Sequence, residues 1–252
     1  MGEGNRDEIE QKQNERREQE GEEEGEVIEN LEPLRAEIKE SSRHTNPNKA
    51  TPEWSIPTKM FVVGEFQLER YIQELWSKIG SQEKYPDDWQ IQKMVWIPKP
   101  GGKSNRVDKR RGIAILDGGA KGYLVWLQKQ MAYKGKGRRR EEYGAVPKRG
   151  ATQALMKVMG VRNRLRKNKV STATFLGDAI KAFDRIDREV VLRETEKRLK
   201  DRALAKRIRV RHGKMIARTV VEGEYLDMEV VTGVAQGDPN GPPTYVNGYG
   251  AV

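Results

Sequence analysis

Phe175-Leu176-Gly177-Asp178-Ala179-Ile180-Lys181-Ala182-Phe183-Asp184 is the stretch on which the reading of this chain turns. A short apolar run, Thr174 to Leu176, predicts a strand that delivers the carboxylate Asp178. An aromatic, Phe183, stands five residues further on, followed by a second acid, Asp184. A strand ending on an acid suits a metal-assisted phosphoryl-transfer site. Rigid backbone fixes the oxygen ligand, and hard Mg²⁺ prefers carboxylate oxygens. The same pattern also describes a solvated acid at a strand end, so its neighbours have to decide between the two.

Upstream stand Trp96-Ile97-Pro98-Lys99-Pro100-Gly101-Gly102-Lys103 and then Arg111-Gly112-Ile113-Ala114-Ile115-Leu116. Met94 to Ile97 reads as a strand ended by Pro98 and Pro100, with Gly101-Gly102 as a flexible tip and Ile113 to Leu116 as the return. The result is a long β-hairpin that carries Lys99, Lys103 and Arg111 on its arms and tip. Cations on a rigid ribbon can clamp a nucleoside triphosphate, although a solvated basic hairpin has the same composition. Tyr143-Gly144-Ala145-Val146-Pro147-Lys148-Arg149-Gly150 lies between the hairpin and the Asp178 stretch, and Gly233-Val234-Ala235-Gln236-Gly237-Asp238-Pro239 lies after it.

In this order and spacing the chain resembles a reverse transcriptase, an RNA-directed DNA polymerase, of the non-LTR retrotransposon type, over about residues 85–243. The resemblance implies an α+β right-hand polymerase fold, here fingers plus an incomplete palm across residues 46–252. It implies an RNA template, a DNA primer and a dNTP as partners, with Mg²⁺ as cofactor. Asp178 is then the catalytic metal ligand, and Lys99 and Arg111 cover the incoming nucleotide. Lys103 at the tip belongs to the same basic set. Phe183 faces the sugar 2′ position and excludes a hydroxyl there, or is ordinary core. Gln236 lies near the template and incoming base, and Gly237 allows close backbone approach. Gly112 stands where the family has Pro, and Asn240-Gly241-Pro242-Pro243 stands where it continues Leu-Ser-Pro into an apolar helix. Asp184 is expected to cap the following helix. The family also needs an aromatic-X-Asp-Asp hairpin after the Gln-Gly motif. The sequence reaches Val252 without one, so a truncated domain, inactive as an isolated chain, is expected. A non-catalytic RNA-binding remnant and a reverse transcriptase of the group II intron maturase type are the alternatives.

Composition narrows the chemistry. The chain has 252 residues, no Cys and only two His, His44 and His212. Thiolate zinc sites, disulfides and His-Asp triads are therefore not expected. No apolar run approaches the roughly 18 residues of a membrane span, and the acidic N-terminus is not that of a signal or transit peptide. A nuclear or cytoplasmic location follows as an expectation. Residues 1–45 carry 15 acids against 7 bases, a net −8, whereas the remaining 207 residues are net +18. The first segment reads as a disordered acidic tail, and the basic body points to a polyanionic partner.

Helical spacing recurs in five further places. Leu68, Tyr71, Ile72, Leu75, Trp76 and Ile79 predict a helix over 64–80 that turns Trp76 inward. Residues 116–133 predict another. Residues 152–165 predict a third, with Met159 as core filler. Two more follow at 188–199 and 203–215. Ala217–Glu222 and Tyr225–Thr232 predict a strand pair joined at Glu222-Gly223-Glu224.

Overall fold

A computed structural model describes residues 31–63, 66–100, 109–134, 141–146, 148–179, 181–199 and 201–249. Among these residues, ten helices and four strands form a mixed α/β unit. The strands are β1 (Ile91–Pro98), β2 (Arg110–Ile115), β3 (Ile216–Val221) and β4 (Glu224–Glu229). Their order in the sheet is β2-β1-β3-β4. The two hairpins are antiparallel, and β1 runs parallel to β3, which joins them. Both hairpins fall where turn chemistry and apolar runs predict them.

The core forms on one central helix, α5 (Gly118–Lys134). Asp117 starts it, its Oδ1 accepting from Gly119 N at 2.7 Å and Ala120 N at 3.2 Å. Tyr123, Leu124, Trp126, Leu127 and Met131 are all buried, so the helix is apolar around most of its circumference. Before it come α1 (Arg35–Arg43), α2 (Thr58–Val63), α3 (Phe66–Gln82) and the single-turn α4 (Asp87–Gln90). Trp76 from α3 meets Tyr123 edge-on with ring centroids 5.4 Å apart, and Trp126 at 5.7 Å. Tyr85, just before α4, and Trp89 within it extend the same aromatic cluster. Ile72, Trp76 and Ile79 do face inward as expected. Tyr71 and Leu75 do not; they are 68% and 37% exposed, because the buried stripe is narrower than the apolar one.

The core begins earlier in the chain than the sequence suggests. Residues 1–30 lie outside the described residues, but residues 31–45, expected to be disordered, belong to the core. Leu31 and Ile38 are buried. The buried Glu37 side chain accepts from Trp126 Nε1 at 3.2 Å, Gln130 Nε2 at 2.9 Å and its own Leu34 N at 2.9 Å. Arg207 is also buried and donates to Leu31 O at 2.6 Å and Trp76 O at 2.7 Å. A polar segment is held here by satisfied hydrogen bonds rather than by apolar area.

After α5 come α6 (Ala151–Lys167), α7 (Ala182–Arg185), α8 (Arg188–Leu199), α9 (Arg202–Gly213) and α10 (Gly241–Tyr249). α6 exists where predicted, but it buries no residue. Leu155 is 59% exposed and Met159, expected to be core filler, is 53% exposed. The expected strand over Thr174–Leu176 is absent: residues 170–179 have no regular structure, and Phe175 and Leu176 are about as exposed as side chains can be. No described strand pairs with this segment, and β propensity alone does not hold a strand. The cap of α8 is Asp187, whose Oδ1 accepts from Glu189 N at 2.9 Å and Val190 N at 3.1 Å. Asp184, expected in that role, lies inside α7. α10 begins at Gly241 despite two prolines, which its first turn accommodates because the N–H groups there have no helical partner.

Candidate functional site

The hairpin and the Gln-Gly turn meet at the edge of the sheet. β2 is an edge strand, and Ala114 N donates outward to Gln236 O at 2.8 Å. Gly237 follows with φ +109°, and a Cβ built there would fall 2.4 Å from Ala114 O. Only glycine tolerates both the backbone angle and the approach. Gln236 and Gly237 are thus fixed three residues along β2 from Arg111.

Arg111 pairs with Ile97, and Lys99 N donates to Lys109 O at 3.0 Å, which carries the ladder past Pro98. Lys99 stands two residues beyond Ile97 and so on the same face as Arg111. Both side chains are exposed. The opposite face of the hairpin is different. Met94 and Trp96 fill the space that a side chain at Gly112 would need, so this glycine serves packing rather than looseness. Lys103, with the rest of the tip, lies outside the described residues.

On its other side, the segment leading into the turn runs along α7. Val234 N donates to Phe183 O at 2.8 Å and Gly233 N to Ile186 O at 3.0 Å. The Phe183 ring is half-buried and stacks on Tyr245 of α10, with centroids 4.7 Å apart and planes 20° apart. Phe183 is therefore neither part of the central core cluster nor free in solvent. Arg111, Gln236, Gly237 and Phe183 are linked through one continuous piece of backbone hydrogen bonding. Asp178 is not part of that framework. It lies in the exposed 171–179 segment.

A buried layer under the turn was not anticipated. Arg188 is buried at the start of α8 and donates to Gly233 O at 3.1 Å, Val230 O at 2.6 Å and Thr232 O at 3.2 Å. Its burial, and then the nearby Arg211, pull its pKa below the ordinary guanidinium value. Arg211 and Asp238 form an ion pair in which both side chains are wholly buried. Asn240 Nδ2 donates to Leu124 O at 3.2 Å. Asp238 was visible as part of a motif. Arg188 and Arg211 were not, since arginines in a basic helix read as solvated.

His212, next to Arg211, is fully buried, and neither ring nitrogen has a hydrogen-bond partner among the described residues. Burial pushes its pKa down to about 4, against the opposing pull of Asp238. The unfolded chain takes up this proton near 6.5. Below that pH the unfolded state gains a proton that the fold resists, so stability is full above about 6.5 and falls toward pH 4. Urea unfolding at pH 5 should give a free energy about 2 kcal/mol lower than at pH 7 from this residue alone. His212→Leu should flatten that slope; an unchanged slope would assign the loss to carboxylates.

The metal expected from the sequence needs more than Asp178. Among the described residues no group of three or more His, Cys, Asp or Glu could hold a metal ion. One exposed carboxylate fills only a fraction of the six oxygens that Mg²⁺ takes. The described residues do not by themselves fit a two-metal centre, and no catalytic step is derived through one. What they do form is a ribbon with two exposed cations, backed by a turn bonded to its edge. No protein-family model matches the chain, and no curated protein sequence matches it. No described helix is long and apolar enough to cross a membrane.

Proposed function

We propose that the chain is the nucleotide- and template-handling part of an RNA-directed DNA polymerase of the non-LTR retrotransposon type, a right-hand fold with fingers and a partial palm. The observation that carries this reading is the Ala114 N to Gln236 O bond of 2.8 Å. It joins the two motifs that the reading requires to meet at one nucleotide. In this reading Lys99 and Arg111 hold the triphosphate, Gln236 and Gly237 border the incoming base, and Phe183 with Tyr245 walls off the sugar. RNA template, DNA primer and dNTP are the partners, and the net +18 of residues 46–252 supports a polyanion. The exposed Asp178 segment favours the alternative, an RNA-binding protein without chemistry.

Dissociation of a labelled RNA-template and DNA-primer duplex separates the two. With a divalent cation present, the complementary dNTP should slow dissociation about tenfold or more, which is about 1.4 kcal/mol, and the other three should not. Arg111→Ala should abolish the difference while leaving the salt dependence of duplex binding almost intact. Equal rates with all four nucleotides would leave only the RNA-binding reading.

A further inference from the structure

Asp238 directly follows Gly237, and its side chain is wholly buried against the equally buried Arg211, with Oδ2 2.9 Å from Nη2. The two groups meet off the donor axis, as an ion contact rather than an aligned hydrogen bond. Arg211 Nε and Nη1 find no acceptor among the described residues. The Tyr85 ring, 5.3 Å from the guanidinium carbon, lies on one face of the group. A buried pair so incompletely satisfied contributes little net stability, because desolvation offsets the attraction. The best-attested use of such a pair is to select one geometry over its neighbours.

The geometry in question is that of the turn. Asp238 Oδ1 accepts from Asn240 N at 2.8 Å, Asp238 N donates to Ala235 O at 3.3 Å, and Gly241 N donates to Asp238 O at 3.0 Å. The carboxylate therefore closes the loop on itself while its other oxygen ties the loop to α9. Two residues earlier, Gln236 O receives the Ala114 amide. Among the described residues, that contact is the one backbone hydrogen bond between the outer edge of β2 and the turn.

We propose that Arg211 and Asp238 are a positioning pair, which holds the Gln236-Gly237 turn against β2 and so sets how strictly the site discriminates the incoming base. The second half rests on the polymerase reading above; the first half does not. Neither residue touches the nucleotide. Both act through Gln236.

The test uses the full chain and the double variant Arg211→Met with Asp238→Asn. The double variant removes both charges, leaves no orphan ion, and keeps an oxygen to accept from Asn240 N. It should fold with an unchanged far-ultraviolet spectrum. Amide hydrogen exchange should then speed up at least about tenfold at Ala114, while the β1–β2 ladder amides keep their protection. In the duplex dissociation assay, the advantage of the complementary dNTP should fall below about twofold, with duplex affinity unchanged. Arg211→Lys, which keeps the charge on a less ordered group, should give intermediate Ala114 protection and serves if the double variant does not fold. Unchanged Ala114 protection in a folded variant would overturn the proposal. Faster exchange at Ala114 in the double variant, together with a parent that shows no nucleotide preference, would support the positioning role and overturn the polymerase reading.

Discussion

A chain beginning at Asn46 should fail to fold cooperatively, whereas one beginning at Leu31 should keep its transition. The segment between them buries Leu31 and Ile38, each contributing about 1.5–3 kcal/mol. Its loss also strips acceptors from three buried donors: Trp126 Nε1, Gln130 Nε2 and Arg207 Nη2. A buried donor left without its partner costs about 1–3 kcal/mol, more when charged. Even halved for water entering the gap, these losses approach the roughly 5–15 kcal/mol that hold a typical domain folded. Urea titration followed by tryptophan fluorescence reads the result directly, since Trp76 and Trp126 line the affected core. A cooperative transition at the parent midpoint would show that the segment only decorates the fold. The Leu31 chain also lacks the 12 acids and 4 bases of residues 1–30. It should therefore bind nucleic acid more tightly than the full chain at low salt, with the gap closing as salt rises.

The elements that were legible in sequence are those whose periodicity and turn chemistry agree. α3, α5, α8, α9 and both hairpins each combine an apolar pattern with a stop signal, such as Pro98 or Glu222-Gly223. α1 falls in the segment read as a disordered tail, because Leu31, Leu34 and Ile38, which could line one helical face, stand among charged residues and do not by themselves build a core. The groups that hold the segment, Trp126 and Gln130 on Glu37 and Arg207 on Leu31, lie far along the chain and give no local sign. Periodicity also says that a helix has an apolar face without saying what covers it, and so α6 was right as a helix and wrong as core. The Thr174–Leu176 strand failed for the related reason that a strand is a property of a pair. At the site, the hairpin cations and the Gln-Gly turn were legible as motifs, and their meeting at Ala114 was not. The buried Arg188 and Arg211 were illegible outright, because only the fold removes them from water.

Gly237→Ala should be among the most damaging single-methyl changes in the molecule, and Gly223→Ala is its control. Both glycines have positive φ, +109° at Gly237 and +88° at Gly223. At Gly223, in the β3–β4 turn, an added Cβ meets nothing within 4 Å, so only the backbone preference is lost. That costs about 1–2 kcal/mol. At Gly237 the Cβ meets the Ala114 carbonyl oxygen at 2.4 Å, an atom fixed in a strand that cannot turn aside. The turn has to lift from β2, and the Ala114 to Gln236 bond goes with it. Strain of about 1–3 kcal/mol and a clash of about 1–3 kcal/mol then add to roughly 2–6 kcal/mol, with the lower half more realistic if the loop relaxes. Relaxation has its own signature. A lifted turn spares stability but carries Gln236 away from Arg111, so the preference for the complementary dNTP should vanish even in a variant that folds well. Thermal melts of the two variants, paired with the duplex dissociation assay, distinguish these routes. Equal effects at both glycines would mean that the approach to Ala114 carries no weight, and that the turn is held by its own backbone and by Asp238 alone.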